Sequence, residues 1–431
     1  MTATIRQFRS FNRPVQLLLV NQLTINVGFY MLMPYLAGYL SGELALAAWT
    51  VGLILGVRNL SQQGVFLIGG SLADRLGYKP MILAGLALRV VGFALLGFVE
   101  SVPALILASA LTGLAGALFN PAVRAYVAAE AGERKVDAFA AFNVFYQAGI
   151  LLGPLVGLAL LGAAFRWVCL VAAALFALLL VLQARALPDR RAVTDRPAQN
   201  VLADWREVLA HRPFLLFSLA MIGSYVLNFQ VYLGLPIEVR RATGGEAGIA
   251  VLFAVSGLLT IAGQVRLTAW VKARWTPGQA ITRGLVVMAS AFVPLVLAAG
   301  TRPGAGRDGW FGYALALTPT LASALLLTLA TMIVYPFEMA TIVDLAGTGM
   351  VGTYYGLYST LSGIGVAVGN LLTGLAIDVG RDLGVPALPW VALAVTGLGC
   401  AGAVAVLARR GQLVNDRPPG TPAPVAARAG G

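Results

Sequence analysis

Few residues of this 431-residue chain could perform acid–base or electrostatic chemistry, and several of them stand within or at the ends of long apolar stretches. They are two carboxylates and two cations: Glu338, Asp378, Arg58 and Arg124. An ionisable group inside a membrane is costly, so each is a functional candidate. Because a buried carboxylate can take up or release a proton when its surroundings change, these four are predicted to serve proton coupling or gating.

The roles within this set differ. Glu338 is the first candidate for proton exchange, and a gate contact with Arg124 is the alternative. Arg58 could attract an anion, tune a nearby acid or be held by its polar neighbours in a structural role. Arg89, about ten residues into its own apolar stretch, is predicted to be structural.

A second concentration of charge lies in a short loop, Gly70-Ser-Leu-Ala-Asp-Arg-Leu-Gly-Tyr-Lys-Pro80. Its glycines permit a tight turn and close backbone approach. Between them the loop holds one carboxylate and two cations at the membrane edge. The predicted conformational latch comprises Gly70, Asp74, Arg75, Gly77 and Lys79.

Small residues recur every four positions in Gly149-Ile-Leu-Leu-Gly153-Pro154-Leu-Val-Gly157. This spacing puts the three glycines on one helix face, where another helix can approach closely. Pro154 removes a backbone donor and bends the helix. We interpret Gly149, Gly153, Pro154 and Gly157 as a hinge, with simple helix packing as the alternative.

Polar and aromatic residues at helical spacing suggest a site for drug-sized, largely apolar molecules. The candidates for lining this cavity are Asn21, Asn26, Tyr30, Tyr225, Asn228 and Tyr232. Three further tyrosines, Tyr354, Tyr355 and Tyr358, are interpreted as an interfacial anchoring belt.

The elements that position these residues are membrane helices. The chain is 59% hydrophobic and 11% charged, whereas a soluble domain carries about 25% charged residues. Apolar runs of about 20 residues, each long enough to cross a bilayer, recur along it. We predict an all-α polytopic protein with twelve spans, near 15–40, 50–72, 80–99, 103–128, 138–162, 166–187, 213–238, 247–271, 280–300, 311–338, 351–378 and 388–408.

The net charge of +12 lies mainly in short loops, which favours membrane orientation over nucleic-acid binding. Basic residues dominate the N-terminus, the even-numbered gaps and the C-terminus, so both termini are predicted to be cytoplasmic. Cys169 and Cys400 lie in apolar runs and are interpreted as packing residues, with no metal site.

The chain is predicted to divide into a six-helix bundle at 1–187, a linker with an amphipathic helix at 188–212, a second bundle at 213–410 and a disordered tail at 411–431. The two bundles echo each other. Asn120-Pro121 matches Tyr335-Pro336, and the span 5 glycines match Gly365, Gly369 and Thr373. Such repeats are typical of carriers.

The loop of Gly70–Pro80 resembles the signature of the major facilitator superfamily, G-x-L-a-D-r-x-G-r-k, and departs from it at Tyr78. The span 5 sequence is similar to the g-x-x-x-G-P-x-x-G signature of its drug:proton antiporter branches. Further segments resemble the MdtH type of multidrug efflux transporter: Gly56–Gly64, Arg89–Phe93, Phe119–Arg124, Leu235-Pro236 and Asp378–Gly380.

This resemblance implies two pseudo-symmetric bundles that exchange protons for hydrophobic compounds by alternating access, with spans 1, 4, 7 and 10 lining the cavity. It also implies that Asp74 meets the N-terminal turn of span 11, and that Arg75 or Lys79 pairs with Glu130, Glu133 or Asp137. Ser109 and Asn21 stand where relatives carry an arginine and an acid. These two departures, together with the buried arginines, leave proton-coupled uptake of an anionic solute as the alternative to export.

Other classes of protein fit less well. No phosphate-binding Gly-Lys-Ser/Thr loop appears in the sequence, and its single histidine, His211, falls in the linker. A membrane-embedded enzyme would need a reactive cluster that the sequence lacks. We therefore expect a multi-pass carrier in the cytoplasmic membrane, driven by the proton gradient without a cofactor, with a small-molecule substrate and a monomeric state.

Overall fold

The computed structural model describes residues 2–161, 164–189, 200–243, 247–300, 309–347 and 349–413. Residues 190–199 of the predicted linker and residues 414–431 of the predicted disordered tail lie outside these ranges. Throughout the described residues the chain is helical. A short helix, Thr2–Arg9, precedes the bundle, and the linker helix is Val201–Ala210.

The spans follow in chain order. They are span 1 (Arg13–Tyr30 and Met33–Gly38), span 2 (Ala48–Gln63 and Phe66–Leu76), span 3 (Tyr78–Phe98), span 4 (Val102–Ala131), span 5 (Lys135–Leu161), span 6 (Phe165–Ala186), span 7 (Arg212–Phe229 and Gly234–Thr243), span 8 (Ala247–Lys272), span 9 (Pro277–Ser290 and Val293–Ala298), span 10 (Gly309–Ala346), span 11 (Val351–Asp382) and span 12 (Leu388–Arg409).

In the described residues, nine helices are long and apolar enough to cross a membrane, and the pair in span 2, bent by 42°, makes ten. One of the nine is the run Val102–Leu160, in which spans 4 and 5 are joined by the 3₁₀ turn Gly132–Arg134. Span 1 is less apolar because its buried face includes Asn21, Gln22 and Asn26, yet it packs on spans 5 and 6. Together these account for the twelve predicted spans.

The packing of the spans has a twofold pattern. Spans 1 and 5, 2 and 4, 3 and 4, and 3 and 6 pack together. The same pairs recur six spans later as 7 and 11, 8 and 10, 9 and 10, and 9 and 12. Between the halves, span 2 packs on span 11, and span 5 packs correspondingly on span 8. The chain therefore forms two pseudo-symmetric six-helix bundles, while the exact domain boundaries remain a prediction.

The glycines of span 5 pack directly on span 1. A Cβ added at Gly153 would lie 2.7 Å from the Cβ of Tyr30, and one at Gly149 would lie 2.7 Å from the carbonyl oxygen of Leu23. The hydroxyl of Tyr35 donates to the carbonyl of Pro154 at 2.7 Å. Span 5 thus touches span 1 through its backbone, which only residues without a bulky side chain allow.

The matching small residues of span 11 make the corresponding contact with span 7. Gly365 faces Ile222, Gly369 faces Val226, and an added Cβ at either position would overlap these side chains. The hydroxyl of Thr373 donates back to the carbonyl of Gly369 at 2.8 Å and so is satisfied within its helix. The repeat inferred from the sequence therefore has the same packing role in both halves.

We predict that Gly153→Leu separates spans 1 and 5 and abolishes transport, because the added side chain must displace the backbone of span 1. Overpacking of this kind costs about 1–3 kcal/mol, so the thermal unfolding midpoint of the detergent-solubilised protein should also fall. Gly402→Leu is the matched control, since Gly402 is exposed and an added Cβ there meets no atom within 4 Å. Equal transport by both variants would contradict the close-contact interpretation.

Candidate functional site

The loop between spans 2 and 3 joins the two bundles at one end of the molecule. We call this the basic end, defined by Arg75, Lys79 and Lys135. Asp74 accepts hydrogen bonds from the backbone N–H of Gly352 at 2.8 Å and of Thr353 at 2.7 Å, and from the Thr353 hydroxyl at 2.7 Å. The carboxylate therefore lies on the positive N-terminal turn of span 11, where the helix dipole favours an anion.

Glycines make this contact possible. A Cβ added at Gly70 would overlap the carbonyl of Gly352, so the two backbones can meet only without side chains. Gly77 has φ of 101°, a conformation that L side chains rarely adopt, and it turns the chain from span 2 into span 3. Three of the predicted latch residues, Gly70, Asp74 and Gly77, are thus placed at the contact between the bundles.

The two cations of the loop have partners other than those predicted. Arg75 pairs with Asp204 of the linker helix at 2.5 Å, and Lys79 lies 3.6 Å from the exposed Asp189. Glu130 instead accepts from Asn12. The predicted pairing with carboxylates after span 4 is therefore corrected, because the linker helix folds back beneath the loop.

The linker helix contacts both bundles. The indole N–H of Trp205 donates to the hydroxyl of Ser71 at 2.7 Å, beside the Asp74 contact. At the other end of the helix, the Nδ1 atom of His211 lies 2.9 Å from the hydroxyl of Tyr354 in span 11. Burial lowers the pKa of His211, and the nearby Glu207 carboxylate opposes this shift.

Further polar pairs close the basic end between spans 5, 8 and 10. Lys135 forms an ion pair with Asp344, and Lys272 pairs with Asp137 at 2.9 Å. Deeper in the bundle the amide of Asn143 donates to that of Gln264 at 2.8 Å. The sequence gives no sign of these contacts, since each residue stands in an ordinary local sequence.

Glu338 is buried, with 4% of its surface exposed, and its neighbours come from several helices. The hydroxyl of Tyr358 donates to its Oε1 atom, and the phenol of Tyr225 of span 7 lies beside the carboxylate. Arg124, from span 4 of the other bundle, acts on the carboxylate electrostatically. The structure thus brings together two of the four predicted coupling or gate residues.

Arg124 connects the bundles without an ion pair to Glu338 among the described residues. Its Nη1 atom donates to the hydroxyl of Ser359 in span 11 at 3.3 Å, and its guanidinium lies close to the phenol of Tyr335 in span 10. The predicted direct salt bridge is therefore replaced by hydroxyl contacts around the carboxylate. Any separation of the bundles must move this positive charge relative to Glu338.

Asp378 does not share this environment. It is at the opposite end of span 11, with 70% of its side chain exposed and Arg381 3.8 Å away. The carboxylate is therefore in contact with solvent and not with the other bundle. This position does not support the coupling or gate role predicted for Asp378.

The span 11 tyrosines are not an anchoring belt, because all three are buried inside the protein. Tyr354 contacts His211, Tyr355 donates to the carbonyl of Met339, and Tyr358 donates to Glu338. Their hydroxyls have protein partners, whereas belt tyrosines face the lipid interface. The sequence pattern could not distinguish these two positions, since both favour aromatic residues near helix ends.

The predicted cavity residues divide into two groups. Tyr30 and Tyr232 interact with each other across the bundles, at the breaks in spans 1 and 7, and Tyr146 of span 5 joins them. Tyr225 belongs to the Glu338 cluster instead. Tyr146 was missed because it stands alone in its part of the sequence.

The asparagines contribute less to an open cavity. Asn26 donates to the carbonyl of Gln22 in its own helix at 2.7 Å, and Asn228 accepts from Thr331 at 3.0 Å. Asn21 is fully buried, and in the described part of the chain neither the oxygen nor the nitrogen of its amide has a hydrogen-bond partner. Of the three, Asn228 is the one whose hydrogen bond links two spans of the second bundle.

Two helical bundles that meet at a loop latch, with one buried carboxylate between them, define a polytopic membrane transporter. The chain belongs to the Major Facilitator Superfamily, whose family model matches residues 18–370. The family consists of transporters, so the chain is a multi-pass membrane carrier rather than an enzyme.

Known proteins similar to this chain cover nearly its whole length. An uncharacterized MFS-type transporter of Mycobacterium tuberculosis is 51% identical over 91% of this chain and 92% of its own. Multidrug resistance protein MdtH of Cronobacter sakazakii is 32% identical over 92% of this chain and 94% of its own. MdtH of Yersinia pestis is 31% identical over 92% of this chain and 94% of its own length.

Two solved structures share the fold. The Escherichia coli fucose:proton symporter FucP has a TM-score of 0.70 and 16% identity, covering 92% of this chain and 98% of its own. The human organic anion transporter MFSD10 has a TM-score of 0.65 and 18% identity, covering 91% of this chain and 99% of its own. At these identities the likeness shows the fold alone.

We predict that Asp74→Asn weakens closure of the basic end, because an amide nitrogen cannot accept the N–H bonds of Gly352 or Thr353. Losing one hydrogen bond to a charged group costs about 1.5–3 kcal/mol, which shifts the ratio of closed to open molecules about ten- to a hundredfold. Spin labels on cysteines at the exposed Glu133 and Arg274, with Cys169 and Cys400 replaced by serine, report this distance.

The Asp74→Asn variant should show a larger population of long inter-label distances than wild type. Asp382→Asn is the control, because this exposed carboxylate lies at the other end of span 11. Identical distance distributions in all three proteins would contradict the latch.

We predict that acidification releases the linker helix from span 11. Burial lowers the pKa of His211, so the docked state favours the neutral imidazole. The stabilisation that this gives is present above the ordinary histidine pKa, and it is lost as the pH falls from about 7.5 to about 5.5. The mobility of a spin label at the exposed Leu209 should therefore rise in acid, and His211→Asn should remove this dependence. A pH response that persists in the variant would assign it to another group.

Proposed function

We propose that this chain exports small, largely hydrophobic molecules across the cytoplasmic membrane by proton antiport and alternating access. The observation that carries the proposal is the burial of Glu338 between Tyr358 and Tyr225 of one bundle, within the electrostatic reach of Arg124 from the other. The name of the relatives at 31–32% identity, multidrug resistance protein, supports export of foreign compounds. Both termini and the basic end would face the cytoplasm.

The structure has the basic end closed, so the cavity in this state would open to the outside. In the proposed cycle, a proton enters from outside and binds Glu338. Neutralising the carboxylate removes its attraction for Arg124, which weakens one contact between the bundles. The Asp74 latch then releases and the basic end opens.

Opening of the basic end would expose Glu338 to the cytoplasm and the cavity to substrate. Water stabilises the ionised carboxylate, so the proton leaves inward while the substrate binds. The return of Arg124 towards the charged Glu338 would favour reclosure with substrate inside. The proton gradient would thus drive export, with no cofactor taking part and a monomer as the working unit.

Uptake of an anionic solute together with protons is the second candidate. The specific observation in its favour is that Arg58 and Arg89 form no ion pair within the described residues. A cation without a counter-ion suits an anionic substrate in either direction of transport. The sign of the proton movement separates the two functions.

We predict that Glu338→Gln abolishes compound-driven proton movement but retains exchange of labelled for unlabelled compound. Proteoliposomes with an acidic interior and a trapped pH probe would receive 2-naphthamide, 2-naphthoate or tetraphenylphosphonium outside. Antiport raises the internal pH as the compound enters, whereas symport lowers it further. Glu100→Gln, an exposed carboxylate at the other end of the bundle, is the matched control.

A Glu338→Gln variant that still moves protons would place the coupling elsewhere. A variant that loses exchange as well would assign Glu338 to gating. No proton response of the wild-type protein to any compound would sink the antiport proposal for these chemical classes.

A further inference from the structure

Two guanidinium groups flank one aromatic ring in the first bundle. The Cζ atom of Arg58, in span 2, lies 4.5 Å from the ring centroid of Phe29, and that of Arg89, in span 3, lies 5.9 Å from it. Cation–π contacts stabilise each arginine but supply no negative charge. Two cations therefore share a low-dielectric region without neutralisation.

Arg89 is the deeper of the two, with 5% of its surface exposed. Besides Phe29, its guanidinium lies 5.8 Å from the ring of Phe119 and 5.7 Å from that of Phe176. Its Nε and Nη1 atoms have no hydrogen-bond partner among the residues that the structure describes. A buried ion in this condition is costly, so a nearby anion would be strongly favoured.

Arg58 has only neutral partners. Its Nη atoms donate to Asn59 at 2.8 Å and to Gln62 at 2.9 Å, and its buried Nε atom has no hydrogen-bond partner within the described ranges. Neither Arg58 nor Arg89 forms an ion pair in the described part of the chain. The buried carboxylate of Glu338 is surrounded by its own tyrosines and Arg124, and that of Glu238 pairs with Arg241 at 2.5 Å.

Arg58 also lies beside the aromatic contact between the bundles. It interacts with Tyr30, which in turn interacts with Tyr232 of the second bundle. Beside it on span 2, Asn59 is exposed, and a Cβ added at Gly56 would meet no atom within 4 Å. A molecule bound between Tyr30 and Tyr232 would thus meet a cation bordered by aromatic rings.

We propose that Arg58, backed by the charge of Arg89, binds the anionic group of the transported molecule, while its apolar body lies against Phe29, Tyr30 and Tyr232. A carboxylate or sulfonate can accept two parallel bonds from a guanidinium, which gives both strength and orientation. The substrate class is therefore an organic monoanion with an aromatic or aliphatic body. This inference rests on the proposed transport of small molecules but not on the direction of proton coupling.

The test measures binding of radiolabelled 2-naphthoate to the full chain in phosphatidylcholine nanodiscs. Neutral 2-naphthamide and cationic 2-naphthylmethylammonium serve as competitors of the same shape. We expect both to compete at least about tenfold more weakly than unlabelled 2-naphthoate, since they lack the charge-assisted bond. Equal competition by the amide would overturn the proposal.

The variants separate the charge from the fold. Arg58→Gln should weaken 2-naphthoate binding at least about tenfold, and Arg58→Lys should retain part of the affinity. Arg283→Gln is the matched control, because Arg283 is an exposed arginine 4.8 Å from the ring of Trp275. Wild-type affinity in a folded Arg58→Gln protein would overturn the proposal. If that variant fails to fold, the competitor series and Arg58→Lys decide.

The same anionic chemistry is present in lipid headgroups. Nanodiscs with added phosphatidylglycerol distinguish the two sources. Unchanged 2-naphthoate affinity supports a free organic anion as the ligand. Loss of affinity would show that the arginines bind lipid headgroups, and it would overturn their role in substrate binding. Binding of 2-naphthoate without proton movement would support this subsite and contradict antiport. Proton exchange with 2-naphthamide alone would support antiport and contradict this subsite.

Discussion

The carboxylate of Asp74 at the N-terminus of span 11 is the contact on which the observed conformation depends. It joins the bundles through two backbone N–H groups and one hydroxyl, all on the positive end of a 32-residue helix. The linker helix reinforces the contact through Ser71 and Arg75. Since the linker leads directly into span 7, parting of the bundles must break these bonds together with those of Asp74.

Charge is distributed unevenly between the two bundles. Within the described spans, the first bundle holds Arg58, Arg89 and Arg124 in its interior, whereas the second holds the buried Glu338. Low dielectric makes each charge sensitive to the position of the others. The alternation of the bundles that we propose would therefore change the electrostatic energy as well as the packing.

Much of the fold was predictable because membrane helices are specified by local patterns. The twelve spans, the repeat between Gly149 and Gly365, and the position of Asp74 against span 11 agree with the structure. Helix ends were predicted less well, as span 10 extends to Ala346 rather than to residue 338. Glu338, Thr341 and Asp344 interrupt the apolar run at this end of span 10, although the helix itself continues. Hydropathy alone therefore places the end of the helix too early.

The site was predictable only in part, because its contacts join residues far apart in the chain. Glu338 stood out as a carboxylate in an apolar run, but nothing local indicated Tyr146 or the pairing of Arg75 with Asp204. Tyr358 was assigned to the membrane interface, since a tyrosine near a helix end has the same local pattern in both settings. Tertiary packing alone separates them.

Span 11 carries contacts of three kinds on one unbroken helix. Thr353 meets the latch, Tyr358 meets Glu338 and Gly369 meets span 7. At 1.5 Å per residue, the first two are only about 8 Å apart along the axis. In the proposed cycle, a small tilt of this helix on proton binding would therefore reach the latch directly, without a relay of side-chain rearrangements.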